Sequence, residues 1–154
     1  TASLFSAACQ VGGITANINK NKQDALKTFG TNFGITYQLI DDALDYYSSS
    51  RELGKNVGDD FKEGKITLPI ILAYLRSNKD EKKFWNRTIK SLNQNEGDFS
   101  KGIDMINKYH CIEDTISRAK HFSNIALDSL GIFDENEYKK NLLNLVKSSL
   151  QRIN

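Results

Sequence analysis

The sequence contains little of what marks several common classes of protein. Its 154 residues include one proline, two cysteines and two histidines, and the formal net charge is +2 at pH 7. A single proline favours long uninterrupted helices, because proline breaks a helix interior. Lysines and carboxylates are interspersed, which gives no nucleic-acid-binding face. No apolar run approaches the ~18 residues that a membrane span needs. The composition therefore predicts a soluble protein of the cytoplasm.

The cysteines and histidines give no sign of a metal site. Cys9 and Cys111 lie far apart in the sequence and lack metal-ligand spacing, so we expect a reduced pair rather than a disulfide. His110 and His121 fall in segments with helical periodicity, without acidic partners at catalytic spacing. We interpret both histidines as ordinary surface or packing residues.

Apolar residues recur every three or four positions along most of the chain, which predicts helices. No alternation of valine and isoleucine indicates a sheet, and no repeat or linker divides the chain. We therefore predict an all-α fold in which residues 1–154 belong to one domain. Gly131 follows the sixth helix as a predicted C-cap. The predicted helices span Ala2–Thr15, Asn21–Tyr47, Thr67–Arg76, Asp80–Leu92, Phe99–Tyr109, Ile112–Leu130 and Asn136–Arg152.

The second helix ends in an acidic turn that is costly to build. Asp41, Asp42 and Asp45 fall within one turn, where like charges repel and Asp is a poor helix former. Gly30 and Gly34 interrupt the same helix at roughly 1 kcal/mol each relative to Ala. Three aspartates offer hard oxygen ligands that suit Mg²⁺, which completes its shell with water and substrate phosphates. In the alternative interpretation the glycines only permit tight packing and the aspartates face water.

A glycine-rich segment with two lysines follows the acidic turn. Turns are predicted at Gly54, Gly58 and Gly64, and Lys55 and Lys65 each follow a glycine. A lysine ammonium is a good point charge for phosphate. Carboxylates for Mg²⁺ and lysines for phosphate together indicate a site for a phosphorylated substrate.

Both segments resemble a known family, in order and in spacing. Tyr37–Tyr46 followed by Gly54–Pro69 resembles the second aspartate-rich region of the trans-isoprenyl diphosphate synthases. The similarity is greatest to the long-chain bacterial polyprenyl type, of which octaprenyl diphosphate synthase is an example. It extends to Thr1–Cys9, which resembles the helix after the family's Lys-Thr pair, and to 142–153, which resembles the family's ending.

The family's first aspartate-rich motif does not occur in these residues. The chain has about half of the family's usual length, and the lysine of the Lys-Thr pair is absent. We therefore expect this chain to fold as the C-terminal part of the family's helical bundle and to be inactive on its own. The apolar stripes of the first two helices are then expected to lack part of their partner surface.

The resemblance implies an Mg²⁺-dependent prenyltransferase of isoprenoid biosynthesis, serving quinone side chains. The complete enzyme, a homodimer, would condense an allylic diphosphate with isopentenyl diphosphate to give a long-chain trans-polyprenyl diphosphate. Cleavage of the allylic C–O bond would give a carbocation, which the double bond of isopentenyl diphosphate attacks. The family's pattern implies that Asp41 and Asp45 hold one Mg²⁺, with Asp42 supporting them.

The resemblance also implies roles in substrate binding. Lys55 and Lys65 would contact diphosphate oxygens, and Gln38 would orient the diphosphate or the cation. Asp60 would hold a lysine or a metal-bound water, and Thr1 would lie at the cleft edge. The wall along the isoprenoid tail has five candidates, for which core packing is the alternative: Phe5, Ala8, Gly12, Phe33 and Gly34.

Two other functions stay open. A terpene cyclase or head-to-head prenyltransferase also uses Mg²⁺ and aspartates, but it lacks the paired Gly-Lys and Glu-Gly-Lys segments. A non-catalytic partner subunit of a heteromeric synthase has no physical need for intact aspartates and lysines. An acidic motif in the coding sequence upstream of Thr1 would favour the prenyltransferase over these alternatives.

Overall fold

A computed structural model describes residues 1–47 and 58–152, which form helices joined by turns and contain no strand. The predicted all-α fold is confirmed. A π-helical turn, Asn86–Lys90, follows α5, and a 3-10 turn, Leu130–Ile132, follows α7. The helices are α1 (Ala2–Thr15), α2 (Lys20–Leu44), α3 (Asp59–Lys62), α4 (Leu68–Arg76), α5 (Lys79–Trp85), α6 (Asp98–Lys108), α7 (Cys111–Ser129) and α8 (Glu137–Gln151).

Most predicted helices are present, and the errors fall at their ends. α1 has the predicted bounds, whereas α2 ends at Leu44 rather than Tyr47. The predicted helix over 80–92 is α5 plus the π-helical turn. The predicted C-cap at Gly131 is wrong, because the chain continues through it as the 3-10 turn. α3 was not predicted, because four residues are too short for a periodic pattern.

The chain divides into two compact units. The first comprises Thr1–Ile40 and Ser117–Asn154, and the second comprises Asp41–Ile116. The helix α2 contributes residues to both. That residues 1–154 form one domain stays a prediction.

The first unit is built around a core of aromatic and aliphatic side chains. Phe29 and Phe33 of α2 stack with ring centroids 5.8 Å apart. Ala126, Leu130 and Val146 complete the buried cluster. Phe29 and Phe33, two residues of the predicted apolar stripe of α2, are therefore buried within this unit. Tyr47, which the prediction placed at the end of that stripe, is 38% exposed, so the expectation that the stripe lacks part of its partner surface stays a prediction for α2.

Two glycines of α2 allow α1 to approach backbone to backbone. A Cβ at Gly30 would lie 2.8–2.9 Å from backbone atoms of Phe5 and Ser6, and one at Gly34 would lie 2.6 Å from the Cα of Ala2. Such distances are shorter than real Cβ contacts. The glycines are thus required for helix packing, which is the alternative that the sequence left open for them.

The opposite face of α1 is open. Leu4 is 75% exposed, and Val11 and Ile14 are exposed by about half. A Cβ at Gly12 would meet nothing within 4 Å. For α1, the expectation of an apolar stripe without a partner surface is confirmed within this unit.

The second unit packs around Trp85. Its indole N–H donates to the hydroxyl of Ser77 at 3.1 Å, and its ring meets Phe61 and Phe84 edge to face. The side chain of Asn78 accepts from the Asp80 and Glu81 N–H groups and completes a capping box at the start of α5. The apolar core and the cap together fix α5 against its neighbours in this unit.

The remaining expectations concern single residues. Cys9 and Cys111 are both free thiols, as predicted. His121 lies in α7, but His110 occupies the turn before α7 with φ 51°, so its predicted place in a helix is wrong. Among residues 1–47 and 58–152, no helix is long and apolar enough to cross a membrane.

Candidate functional site

The acidic residues lie at the start of the second unit, where α2 ends. Asp41 and Asp42 belong to the last turn of α2, and Asp45 belongs to the turn that follows. Asp42 is buried, with 9% of its surface exposed, whereas Asp41 and Asp45 are half-buried. The Asp45 N–H donates to the Asp41 carbonyl at 3.3 Å, which keeps the helical spacing of these two residues.

Asp45 connects the end of α2 to the short helix α3. Its carboxylate Oδ2 accepts from the Asp60 N–H at 3.1 Å, and its carbonyl accepts from the Gly58 N–H at 3.0 Å. The first N–H groups of a helix have no intrahelical acceptor, so a carboxylate placed there satisfies one of them. Asp45 thus holds the first turn of α3, a structural task that the sequence did not indicate.

The environment of Asp45 disfavours its charge. Burial and then the nearby charge of Asp60 raise the pKa of Asp45 to about 6, against the backbone N–H of Asp60, which acts in the opposite direction. Two carboxylates so placed repel each other when both are ionised. A cation beside them would relieve that repulsion.

Asp60 links α3 to Lys65. The Lys65 ammonium donates to Oδ1 of Asp60 at 2.7 Å and lies 3.0 Å from Oε2 of Glu63. The backbone N–H of Lys65 donates to the Asp60 carbonyl at 2.9 Å. The hydrogen bond to Asp60, and then that to Glu63, raises the pKa of Lys65. The structure therefore brings together three of the predicted site residues, Asp45, Asp60 and Lys65.

A buried hydroxyl pair supports this region and was missed by the sequence analysis. The Thr67 hydroxyl donates to the Tyr46 phenolic oxygen at 3.4 Å, and both side chains are buried. Burial raises the pKa of Tyr46. The pair joins the residue after Asp45 to the start of α4. No local spacing could indicate it, because the partners lie 21 residues apart.

The glycine-rich segment is described only in part. Gly58 and Gly64 have φ of 89° and 67°, so both predicted turns are present. A Cβ at Gly64 would collide with the Leu92 side chain and would lie 2.8 Å from the Ile89 carbonyl oxygen. Lys55 and Gly54, also part of the prediction, lie outside the described residues.

The other predicted site residues belong to the first unit. The Thr1 hydroxyl donates to Oε1 of Gln38 at 2.6 Å. Phe5 packs edge to face on Phe33 at 5.2 Å, and Gly34 is buried beside it. These contacts favour core packing for Phe5, Phe33 and Gly34 over a cavity wall. Two further candidates for the wall, Ala8 and Gly12, are exposed on α1.

The chemistry of the acidic residues fits Mg²⁺. Within the described part of the chain, no group of three or more His, Cys, Asp or Glu side chains is arranged to hold a metal ion. Mg²⁺ usually takes only one or two carboxylates and obtains its other ligands from water and phosphate. Hard oxygen donors are present at Asp41, Asp42 and Asp45, and their ligation of a metal stays a prediction.

Comparison with known proteins identifies the family. The sequence model of the polyprenyl synthetase family matches residues 1–106. The chain belongs to the polyprenyl synthetase family. The octaprenyl diphosphate synthase of Haemophilus influenzae is 34% identical to it over 99% of the chain and 46% of that protein's length. This member of the family thus spans about half the length of the curated relatives that it matches.

Solved structures of polyprenyl synthetases have the same fold. A decaprenyl diphosphate synthase from Rhodobacter capsulatus superposes with a TM-score of 0.93 at 35% identity, covering all of this chain and 47% of that one. A Caulobacter crescentus polyprenyl synthase, solved with calcium and isoprenyl diphosphate, gives 0.89 at 38% identity, again covering 47% of its chain. The predicted resemblance to the family and its all-α fold is confirmed.

Proposed function

We propose that this polyprenyl synthetase chain supplies one metal- and diphosphate-binding side of an Mg²⁺-dependent prenyltransferase. The enzyme condenses isopentenyl diphosphate with an allylic diphosphate and makes a long-chain trans-polyprenyl diphosphate. The contacts that join Asp45, Asp60 and Lys65 carry the proposal, because they place carboxylates and a lysine together after an acidic helix end. The family match favours this synthase over a terpenoid cyclase.

Each residue of the site has a distinct task in this proposal. Asp41 offers its carboxylate to Mg²⁺, and buried Asp42 supports the cluster. Asp45 accepts from the Asp60 N–H through Oδ2 and also holds the metal or its water. Bound Mg²⁺ supplies charge neutralisation of the leaving diphosphate. Gln38, held by Thr1, orients substrate.

Lys65 must exchange partners to bind substrate. It is paired with Asp60 and Glu63, and its side chain is 54% exposed. An exposed lysine loses little when it leaves one carboxylate for another anion, because exposed ion pairs contribute only about 0–1 kcal/mol. A diphosphate carries more charge than either carboxylate. Asp60 therefore holds Lys65 near the place where diphosphate arrives.

Replacing Lys65 should weaken substrate binding. In an active form of the enzyme, Lys65→Ala should lower the affinity for a diphosphate analogue roughly 10- to 100-fold, since a charge-assisted bond contributes about 1.5–3 kcal/mol. Lys55→Ala should do the same. Isothermal titration calorimetry in Mg²⁺ measures the affinity, and thermal denaturation checks the fold.

Lys62→Ala is the matched control for the Lys65 variant. Lys62 lies three residues away, is exposed and pairs with Asp59 at 3.3 Å. We expect its loss to change diphosphate affinity less than twofold. Equal affinities in wild type and Lys65→Ala would place Lys65 on the solvated surface and remove it from the site.

The 154-residue polypeptide alone should not catalyse prenyl transfer. It carries one aspartate-rich motif, and the proposed reaction needs a second such motif on the opposite side of the bound diphosphate. The open apolar face of α1 should cause self-association, since exposed apolar patches beyond a few hundred Å² are unusual on monomers. Light scattering after gel filtration and a prenyl-transfer assay measure both. A compact monomer with synthase activity would refute this expectation.

The cellular setting follows from the same proposal. We propose a homodimer in the cytoplasm whose product becomes a quinone side chain. A non-catalytic partner subunit would need neither the intact aspartates nor Lys65, so the variants above also test that alternative.

A further inference from the structure

The short helix α3 is held at both ends by side chains from outside it. At its start, the Asp45 carboxylate accepts from the Asp60 N–H. At its end, Nε2 of Gln94 donates to the Phe61 carbonyl at 2.8 Å. The last carbonyl groups of a helix have no intrahelical donor, and four residues are too few for a helix that is stable alone. α3 therefore depends on these two contacts and on the buried ring of Phe61.

Gln94 also joins α3 to the π-helical turn. The same Nε2 atom donates to the Thr88 carbonyl at 2.9 Å. Both partners of Nε2 are carbonyl oxygens, which only accept, so both hydrogens of the amide nitrogen are used and the orientation of the amide is determined. An amide nitrogen is the uncharged side-chain group that donates twice from one atom. The bridge between Phe61 and Thr88 therefore depends on the amide of this side chain.

The segment that carries Gln94 is itself fixed. The Arg87 guanidinium donates to the Asn93 carbonyl at 2.7 Å and to both carboxylate oxygens of Asp98 at 2.8 Å. The Asn95 N–H donates to Oδ2 of Asp98 at 2.7 Å. The residues on either side of Gln94 are thus tied to one ion pair, whose carboxylate is buried. Support of this kind keeps a side chain in one geometry.

The end of α3 determines where Lys65 lies. The Gly64 N–H donates to the same Phe61 carbonyl at 3.0 Å, and the Lys65 N–H donates to the Asp60 carbonyl at 2.9 Å. The turn to Lys65 thus starts at the carbonyl that Gln94 holds. We propose that Gln94 is a positioning residue for Lys65, whose amide holds the end of α3 and thereby fixes the lysine in the diphosphate site. This inference rests on the proposed function of Lys65.

Gln94→Met removes both donors and keeps the length of the side chain. In an active form of the enzyme, it should weaken binding of a diphosphate analogue roughly tenfold in calorimetry with Mg²⁺. Gln23→Met is the matched control, because Nε2 of Gln23 also donates to a backbone carbonyl, that of Ile18, at 2.8 Å in the first unit. The control should change this affinity less than twofold. Thermal denaturation of both variants measures the loss of stability that a purely structural bond would cause.

A double-mutant cycle separates positioning of Lys65 from a general loss of stability. If Gln94 acts through Lys65, adding Gln94→Met to Lys65→Ala should weaken diphosphate binding less than twofold further. A further tenfold loss in the Lys65→Ala background would show that Gln94 acts on something other than Lys65 and would overturn the inference. Wild-type affinity of the single variant Gln94→Met would overturn it as well.

Hydrogen exchange tests the positioning without substrate. In the diphosphate-free enzyme, Gln94→Met should speed exchange of the Gly64 and Lys65 N–H groups roughly tenfold, because the end of α3 opens more easily. Gln23→Met should leave these rates unchanged. Unchanged rates in Gln94→Met would overturn the inference even where Lys65 binds diphosphate. Faster exchange together with wild-type affinity of Lys65→Ala would refute the proposed role of Lys65 while supporting its positioning by Gln94, so the two failures are distinguishable.

Discussion

Asp41→Ala should reduce Mg²⁺-dependent turnover of an active form of the enzyme by roughly 10²–10³-fold. Asp41 lies in the last turn of α2 and is half-buried, so its carboxylate is held in place without being closed off from solvent. Loss of one metal ligand removes charge stabilisation that is needed when diphosphate leaves. The measurement is a prenyl-transfer assay with increasing Mg²⁺, together with binding of a diphosphate analogue with and without the metal.

Asp24→Ala is the matched control for Asp41. Asp24 is on the same helix, but it is exposed and pairs with Lys20 at 2.8 Å, four residues away. Its loss should change turnover less than twofold, because exposed ion pairs of this kind contribute little. If Asp41→Ala retained wild-type turnover at every Mg²⁺ concentration, Asp41 would not be a metal ligand.

Gly30→Ala should destabilise the fold by about 2–3 kcal/mol, the cost of overpacking a close contact. Helix propensity alone predicts the reverse, since Ala is favoured over Gly by roughly 0.5–1 kcal/mol. The contact decides the sign, because the new Cβ would meet backbone atoms of Phe5 and Ser6, which cannot rotate away. Urea denaturation followed by circular dichroism gives the change in free energy of unfolding.

Gly12→Ala provides the opposite case on α1. A Cβ at position 12 meets nothing within 4 Å, so only helix propensity acts. This variant should be more stable than wild type by about 0.5–1 kcal/mol. Stabilisation by Gly30→Ala as well would show that α1 and α2 are not packed as closely as the structure has them.

The sequence predicted the helices well where the periodic pattern is long. α1 and α2 carry apolar residues at regular spacing over many turns. Their positions were correct apart from one residue at the start of α2 and three at its end. α3 has four residues, and its first turn is held by Asp45 from a distant part of the chain. Such a helix depends on tertiary contacts that periodicity does not contain.

The sequence predicted which residues form the candidate site, but it did not predict which of them contact one another. The acidic turn and Lys65 were found from their chemistry and from the family resemblance. The hydrogen bond from the Asp60 N–H to Asp45 joins residues 15 positions apart, and Asp60 in turn holds Lys65, five positions further on. No local pattern specifies these contacts. The Tyr46–Thr67 pair was missed for the same reason.

The turn at Gly64 limits how this sequence can vary. Its φ of 67° disfavours any side chain, and a Cβ there would collide with Leu92 and the Ile89 carbonyl oxygen. Gly97 has a similar φ of 85° but open space around it, so asparagine or aspartate could replace it. Mutational drift could therefore change position 97 while position 64 stays glycine. A glycine retained in the Glu-Gly-Lys segment is what backbone sterics alone would select, without any contact to substrate.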